Sequence, residues 1–197
     1  MENKYSKIAF LATLFALISI LVSCQSTVKY GDAGSATPVS TDFGSSDLQQ
    51  IASTMVNSLM TFPPIVDATR NRRPILEVAR VNNKTMQHID TQSLTDSIVT
   101  KLLRSGKFRF TDKASNQETI DEIKNQQESG LYDQNTATQY GTNLAPEYLL
   151  VSNLSEIKQK QTNGGINVYY KFTMSLKNLK TGIIEWRDEK EIRKIQE

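Results

Sequence analysis

The stretch Ile166-Asn167-Val168-Tyr169-Tyr170-Lys171-Phe172-Thr173-Met174-Ser175-Leu176-Lys177 decides the fold. Val168, Tyr170, Phe172, Met174 and Leu176 share one parity, and Tyr169, Lys171, Thr173, Ser175 and Lys177 the other. A period of two with one apolar and one mixed face marks a half-buried antiparallel strand. Working outward, Asn163-Gly164-Gly165 is a tight hairpin signal. It joins this strand to an earlier one, in which Tyr148, Leu150 and Ser152 oppose Leu149, Val151 and Asn153 on a path toward Lys160. On the other side Lys180-Thr181-Gly182 turns the chain into a last strand, Ile183 to about Ile192, with Trp186 near its middle. The C-terminal part is therefore a three-strand meander.

Upstream the period changes to that of helices. Ser46 and Gln49 have capping-box spacing, and Leu48, Ile51, Ala52, Met55, Val56, Leu59 and Met60 recur at steps of three and four until Pro63-Pro64 ends the run. Pro74 to Val81 carries apolar residues on both parities, as a strand covered on both faces does. The segment Asn82 to Asp90 reads as a loop. A second helix, capped by Asp90 or Thr91, bears Leu94, Ile98, Val99, Leu102 and Leu103 and stops at Gly106. Lys107 to Thr111 is a short strand. Ser115 with Glu118 opens a polar third helix closed by Gly130, and a fourth is expected over about Gln134 to Asn143. This order predicts an α/β fold of the α+β kind, with a mixed four- to five-stranded sheet packed by about four helices. Residues 46–197 form one globular domain, without an internal repeat.

The N-terminal 45 residues are of another character. Lys4 and Lys7 precede an apolar run from Ile8 to Val22, and Ser23 stands before Cys24. That is the layout of an export signal over residues 1–23, and the run is shorter than the ~20 residues of a membrane span. Cys24 is the only cysteine, so an internal disulfide is impossible in an exported chain. Leu21-Val22-Ser23-Cys24 resembles the lipobox of bacterial lipoproteins, which implies a diacylglycerol thioether and an acylated amino group on Cys24. Two or more chains anchor a protein stably where one does not. Gln25, rather than Asp, follows the cysteine, and the lipoprotein rule then implies the outer membrane. Residues 24–45 are the lipidated cysteine and a tether rich in Ser, Thr, Gly and Ala.

Charge and side-chain inventory exclude several function classes. Loss of Glu2, Lys4 and Lys7 with the signal leaves 21 Lys and Arg against 20 Asp and Glu, a net charge of +1. Nucleic acid is thereby an unexpected partner, since phosphate recognition relies on an excess of cations. The one basic cluster, Arg70, Arg72 and Arg73, reads as a solvated loop. His88 is the only histidine, which removes Cys-His pairs and multi-histidine metal sites. Asp121, Glu122, Asp188, Glu189 and Glu191 lie on polar faces where solvation is the default. Phosphate loops and dinucleotide fingerprints are missing. Catalysis, a cofactor and a metal are not expected.

Several phrases together resemble the penicillin-binding protein activator LpoB family. They are Asp47 to Leu59 (DLQQIASTMVNSL), Val81-Asn82-Asn83-Lys84-Thr85 with Ile89-Asp90-Thr91, Leu103 to Phe108 (LRSGKF), Ala145 to Leu150 (APEYLL) and Leu179 to Trp186 (LKTGIIEW). The resemblance implies a fold like the N-terminal domain of TolB. It also implies an outer-membrane lipoprotein whose periplasmic domain binds and stimulates a class A penicillin-binding protein, a peptidoglycan synthase. Well-known members carry a longer tether than Gln25 to Ser45. No matched motif assigns the partner-contacting residues. Outward aromatics of the meander are the candidates, Tyr169 foremost and Trp186 second, the latter fitting the core better than a contact. A monomer is expected. The competing function, a CsgG-like secretion or envelope-assembly component, needs amphipathic membrane hairpins. Lys171, Lys177, Lys180, Arg187 and Lys190 make the Ile166–Ile192 hairpin a poor one.

Overall fold

A computed structural model describes residues 40–111, 116–162 and 164–197, with Asn116 described by its backbone alone. The signal segment, Cys24, Gln25 and most of the tether lie outside the described residues, as do Ser115 and Asn163. Helix α1 (Ser45–Thr61) leads into a short α2 (Pro63–Ala68), then strands β1 (Ile75–Val78) and β2 (Asn82–Lys84). Helix α3 (Thr91–Arg104), β3 (Arg109–Thr111) and α4 (Asn116–Glu128) precede the meander β4 (Tyr148–Lys160), β5 (Ile166–Asn178) and β6 (Ile184–Gln196). The sheet runs β3-β1-β4-β5-β6, with β2 paired to β4. β1 is parallel to both β3 and β4, and the meander is antiparallel, so the sheet is mixed.

The even-numbered face of the meander is the core face. Leu150, Leu154, Phe172, Met174, Leu176 and Trp186 pack with Ile51, Met55 and Leu59 of α1 and Leu94, Ile98 and Leu102 of α3. All the apolar positions expected on α1 are buried or half-buried in this cluster, which is why an otherwise polar helix forms and stays. Pro63-Pro64 does end α1, yet the same prolines occupy the first positions of α2, where a missing N–H is harmless.

Two strand segments, not one, follow α2. β1 pairs Val78 with Leu150, and β2 pairs Asn82 with Asn153, so four steps on one strand match three on its partner. The extra residue falls within Ala79–Val81. A bulge of this kind reverses the parity of everything after it. Leu76 and Val78 reach the core from even positions, and Val81 reaches it from an odd one. The Val81 N–H, diverted from the ladder, donates to Thr95 Oγ1 of α3 at 3.0 Å. Beyond the bulge the expected loop is instead β2, which makes the sheet six-stranded rather than four- to five-stranded.

Three further expectations need correction. Helix α1 starts at Ser45 with Gly44 as its cap, not at Ser46. Asp47 Oδ2 accepts the Gly44 N–H at 2.8 Å, the returning half of a capping box; glycine has no side chain for the other half. The helix expected over Gln134–Asn143 is a set of turns. Asp133 Oδ1 holds the Asn135 N–H at 2.9 Å, and Gln126 Oε1 takes the Thr138 N–H that a helix would need. Gly141, at φ +78°, then leaves helical space altogether. Finally, the domain begins before residue 46. The Thr41 carbonyl accepts from the Tyr170 hydroxyl at 2.9 Å, the Asp42 carbonyl accepts from Lys194 Nζ at 2.6 Å, and Phe43 stacks edge-on against Tyr170.

Candidate partner-binding surface

Because β4, β5 and β6 stay in register for most of their length, odd positions line up in rows across the outward face. Ile157, Tyr169 and Arg193 form one row, Ser155, Lys171 and Glu191 the next, and Asn153, Thr173 and Glu189 a third. Tyr169 sits in the middle strand, half-buried, with an exposed Ile157 on one side. On the other, the Arg193 guanidinium lies 6.0 Å from its ring centre, a cation–π distance. The Tyr169 hydroxyl donates to Glu191, which pushes its pKa up, with desolvation second. Lys171 is bound to Glu189 at 2.6 Å, and that bond raises the lysine's pKa. Tyr169 is thus a phenol held neutral and upright among charges that already have partners.

Around it lies a shallow groove of about 350 Å³, lined by Ile157, Gln159, Asn167, Tyr169, Glu191 and Arg193. Asn167 Oδ1 is buried and lacks a hydrogen-bond partner among the described residues. An aromatic ring, an arginine and an exposed isoleucine are what a docking surface offers a protein partner. The alternation of β5 announced Tyr169. Ile157 and Arg193 could be placed beside it only once the strand register was known.

The other candidate is elsewhere. Trp186 is 5% exposed and lies opposite Leu176 in the core, facing away from Tyr169's side of the sheet. Cys24 lies outside the described residues. His88 is exposed on the loop before α3. The basic cluster is tied up locally: Arg70 pairs with Asp67, Arg72 with Glu147, and Arg73 donates to the Phe108 carbonyl at 2.9 Å.

Among solved structures, the chain is similar to the LpoB C-terminal domain from Salmonella enterica at 19% identity and a TM-score of 0.46, covering 75% of this chain and 99% of that one. For the LpoB C-terminal domain from Escherichia coli the values are 20% and 0.44, covering 74% and 98%. Lipoprotein GNA1162 from Neisseria meningitidis follows at 13% and 0.39, covering 62% and 83%. Comparison with curated proteins finds no match. A family model described as peptidoglycan-synthase activator LpoB matches residues 47–192, from the first turn of α1 to well into β6. The chain belongs to the LpoB family of peptidoglycan-synthase activators.

Proposed function

We propose that this chain is an outer-membrane lipoprotein, anchored through Cys24, whose domain binds and stimulates a class A penicillin-binding protein from the periplasmic side without catalysing a reaction itself. The observation that carries the reading is the family match over residues 47–192, which takes in every helix and strand except the ends of α1 and β6. The Leu21-Val22-Ser23-Cys24 tetrad supports the anchor, and Gln25 supports the outer membrane. The Tyr169 face is the surface offered to the synthase.

Reach is the constraint on this function. With Thr41–Phe43 bound to the domain, the leash runs from Cys24 to Ser40, sixteen peptide steps. Fully drawn out it spans at most about 55 Å. The synthase must therefore present its docking site within that distance, plus the extent of the domain itself, of the inner leaflet of the outer membrane, or the two membranes must lie close together.

Calorimetric titration of the mature protein into class A penicillin-binding proteins of the same envelope tests the reading. Saturable one-to-one binding to one of them is expected, weakened by Tyr169→Ala. Absence of heat and of co-elution with every such synthase would refute it.

A further inference from the structure

We propose that the tip of the β5–β6 hairpin, Leu179 to Ile184, docks on the anionic phospholipid leaflet that holds Cys24, turning the domain so that its Tyr169 row points away from the outer membrane. This rests on the reading of Cys24 as the anchor. Leu179, Ile183 and Ile184 are 43%, 57% and 53% exposed within one turn at the end of the hairpin. Lys177, Lys180 and Arg187 flank them, all exposed and none ion-paired among the described residues. Glu185, the anion of the same stretch, already accepts from the Asn178 side-chain amide at 3.0 Å. Aliphatic side chains flanked by cations are the chemistry that settles at an anionic lipid interface.

Backbone chemistry favours a lipid over a peptide as the occupant. A loop entering the hydrocarbon boundary must satisfy its own N–H groups, because the acyl chains offer them nothing. From Asn178 to Ile183 all six have acceptors within the chain. The Asn178 N–H donates to the Ile183 carbonyl at 2.8 Å, the Leu179 N–H to the Glu147 carbonyl at 2.9 Å and the Gly182 N–H to the Asn178 carbonyl at 2.8 Å. Asn178 Oδ1 accepts the Lys180 and Thr181 N–H groups at 3.0 and 3.3 Å, and Thr181 Oγ1 accepts that of Ile183 at 3.3 Å. Gly182, at φ +75°, closes the turn. The tip thus keeps its aliphatic side chains exposed and offers a peptide no free backbone donor along these six residues.

The leash makes the contact reachable. It joins the domain at the other pole, where Tyr170 and Lys194 bind the Thr41 and Asp42 carbonyls. Ten residue steps of β6 separate Lys194 from Ile184, about 33 Å of strand. The sixteen steps from Cys24 to Ser40 span up to about 55 Å, so the tip can be set down on the leaflet that anchors the chain. A weak affinity then suffices, because a short linker supplies an effective concentration on the order of millimolar. Tyr169 lies nine steps of β5 from Asn178, so a docked tip lifts the Tyr169 row about 30 Å off the leaflet, toward the side from which a synthase approaches.

Fluorescence quenching of the mature, lipidated protein in vesicles tests this. With Cys24 lipidated, Ile183→Cys carries the chain's one thiol and takes an environment-sensitive fluorophore; Gln159→Cys, at the leash pole, is the comparison. Both positions, and Lys177 and Lys180, are exposed, so folding is not at stake. The vesicles are phosphatidylcholine with or without phosphatidylglycerol, and carry a lipid-borne quencher. With phosphatidylglycerol the probe at 183 should shift to the blue and be quenched about threefold more than the probe at 159. Lys177→Glu with Lys180→Glu, or phosphatidylcholine alone, should remove most of that excess. A domain that merely hangs from its leash brings Gln159 nearer the lipid instead. Equal quenching at the two positions, stronger quenching at 159, or indifference to charge reversal would overturn the proposal and leave the anchor standing. Failure of the parent chain to float with the vesicles would overturn both.

Discussion

Lys194 near the end of β6 and Asp47 in the first turn of α1 form an ion pair at 2.5 Å, with side chains only 8% and 12% exposed. The same Asp47 oxygen accepts the Gly44 N–H, and the same ammonium reaches the Asp42 carbonyl. One buried pair thus fastens the domain's entry, its first helix and its last strand. Removing one partner strands a charge without solvent, at about 3–5 kcal/mol. Lys194→Met and Asp47→Ala should each lower the unfolding free energy obtained from urea titration by that much, and the double variant should lose clearly less than their sum.

Entry to the domain is held separately by Tyr170, whose hydroxyl meets the Thr41 carbonyl and Gln87. Tyr170→Phe keeps the ring against Phe43 and deletes only the oxygen, so a loss of about 1 kcal/mol is expected. Hydrogen exchange should quicken at the Phe43 N–H, which donates to Gln87 Oε1 at 3.0 Å. Unchanged exchange there would show that the clamp does not hold the entry segment.

Trp186 and Tyr169 separate packing from recognition, since they lie on opposite faces of the same sheet. Trp186→Ala should cost about 3–5 kcal/mol in stability, as an emptied aromatic core site does. Tyr169→Ala should cost less than about 1 kcal/mol and act on partner binding instead. Equilibrium denaturation and synthase titration of both variants check the division.

Thr95 gives the bulge a single point of test. Its hydroxyl accepts the Val81 N–H and donates to the Thr91 carbonyl at 2.7 Å. Thr95→Val preserves shape but leaves a buried N–H unsatisfied, at about 1–3 kcal/mol. A thermal melt reads this directly; Thr95→Ser should recover most of the loss.

At low pH the Arg72–Glu147 pair sets the sign. Arg72's hydrogen bond holds the Glu147 carboxyl below the usual carboxylate range, the Ile75 N–H adding to it. A depressed acid pKa means stability that is complete above the unfolded carboxylate's pKa and fades as pH falls through the folded one. Both side chains are substantially exposed, so the contribution is less than about 1 kcal/mol. Arg72→Ala should remove that small contribution at neutral pH, leave stability well below pH 4.5 nearly unchanged, and so flatten the profile between the two.

Much of this architecture was legible because side-chain period reports burial. The β5 alternation, the α1 and α3 stripes, Asp90 as a cap and Gly106 at φ +69° all stand where local chemistry put them. What sequence could not show depends on partners distant along the chain. The bulge needs β4 beside it and Thr95 above it. Asp47 closes the N-terminus of α1 onto Gly44, and its second partner, Lys194, lies 147 residues away. Gln134–Asn143 carries helix-compatible residues, but Gln126 takes a hydrogen bond the helix required. For the partner surface, alternation singled out Tyr169 and left its neighbours unknown, because a row across a sheet is a property of register.

Whether this domain switches on a peptidoglycan synthase is read from the glycan-chain polymerisation rate of a purified class A penicillin-binding protein of the same envelope, measured with and without saturating mature protein. A several-fold rise is expected, one that Tyr169→Ala diminishes while the fold stays intact. A rate indifferent to the protein, for every synthase it is offered, would contradict it.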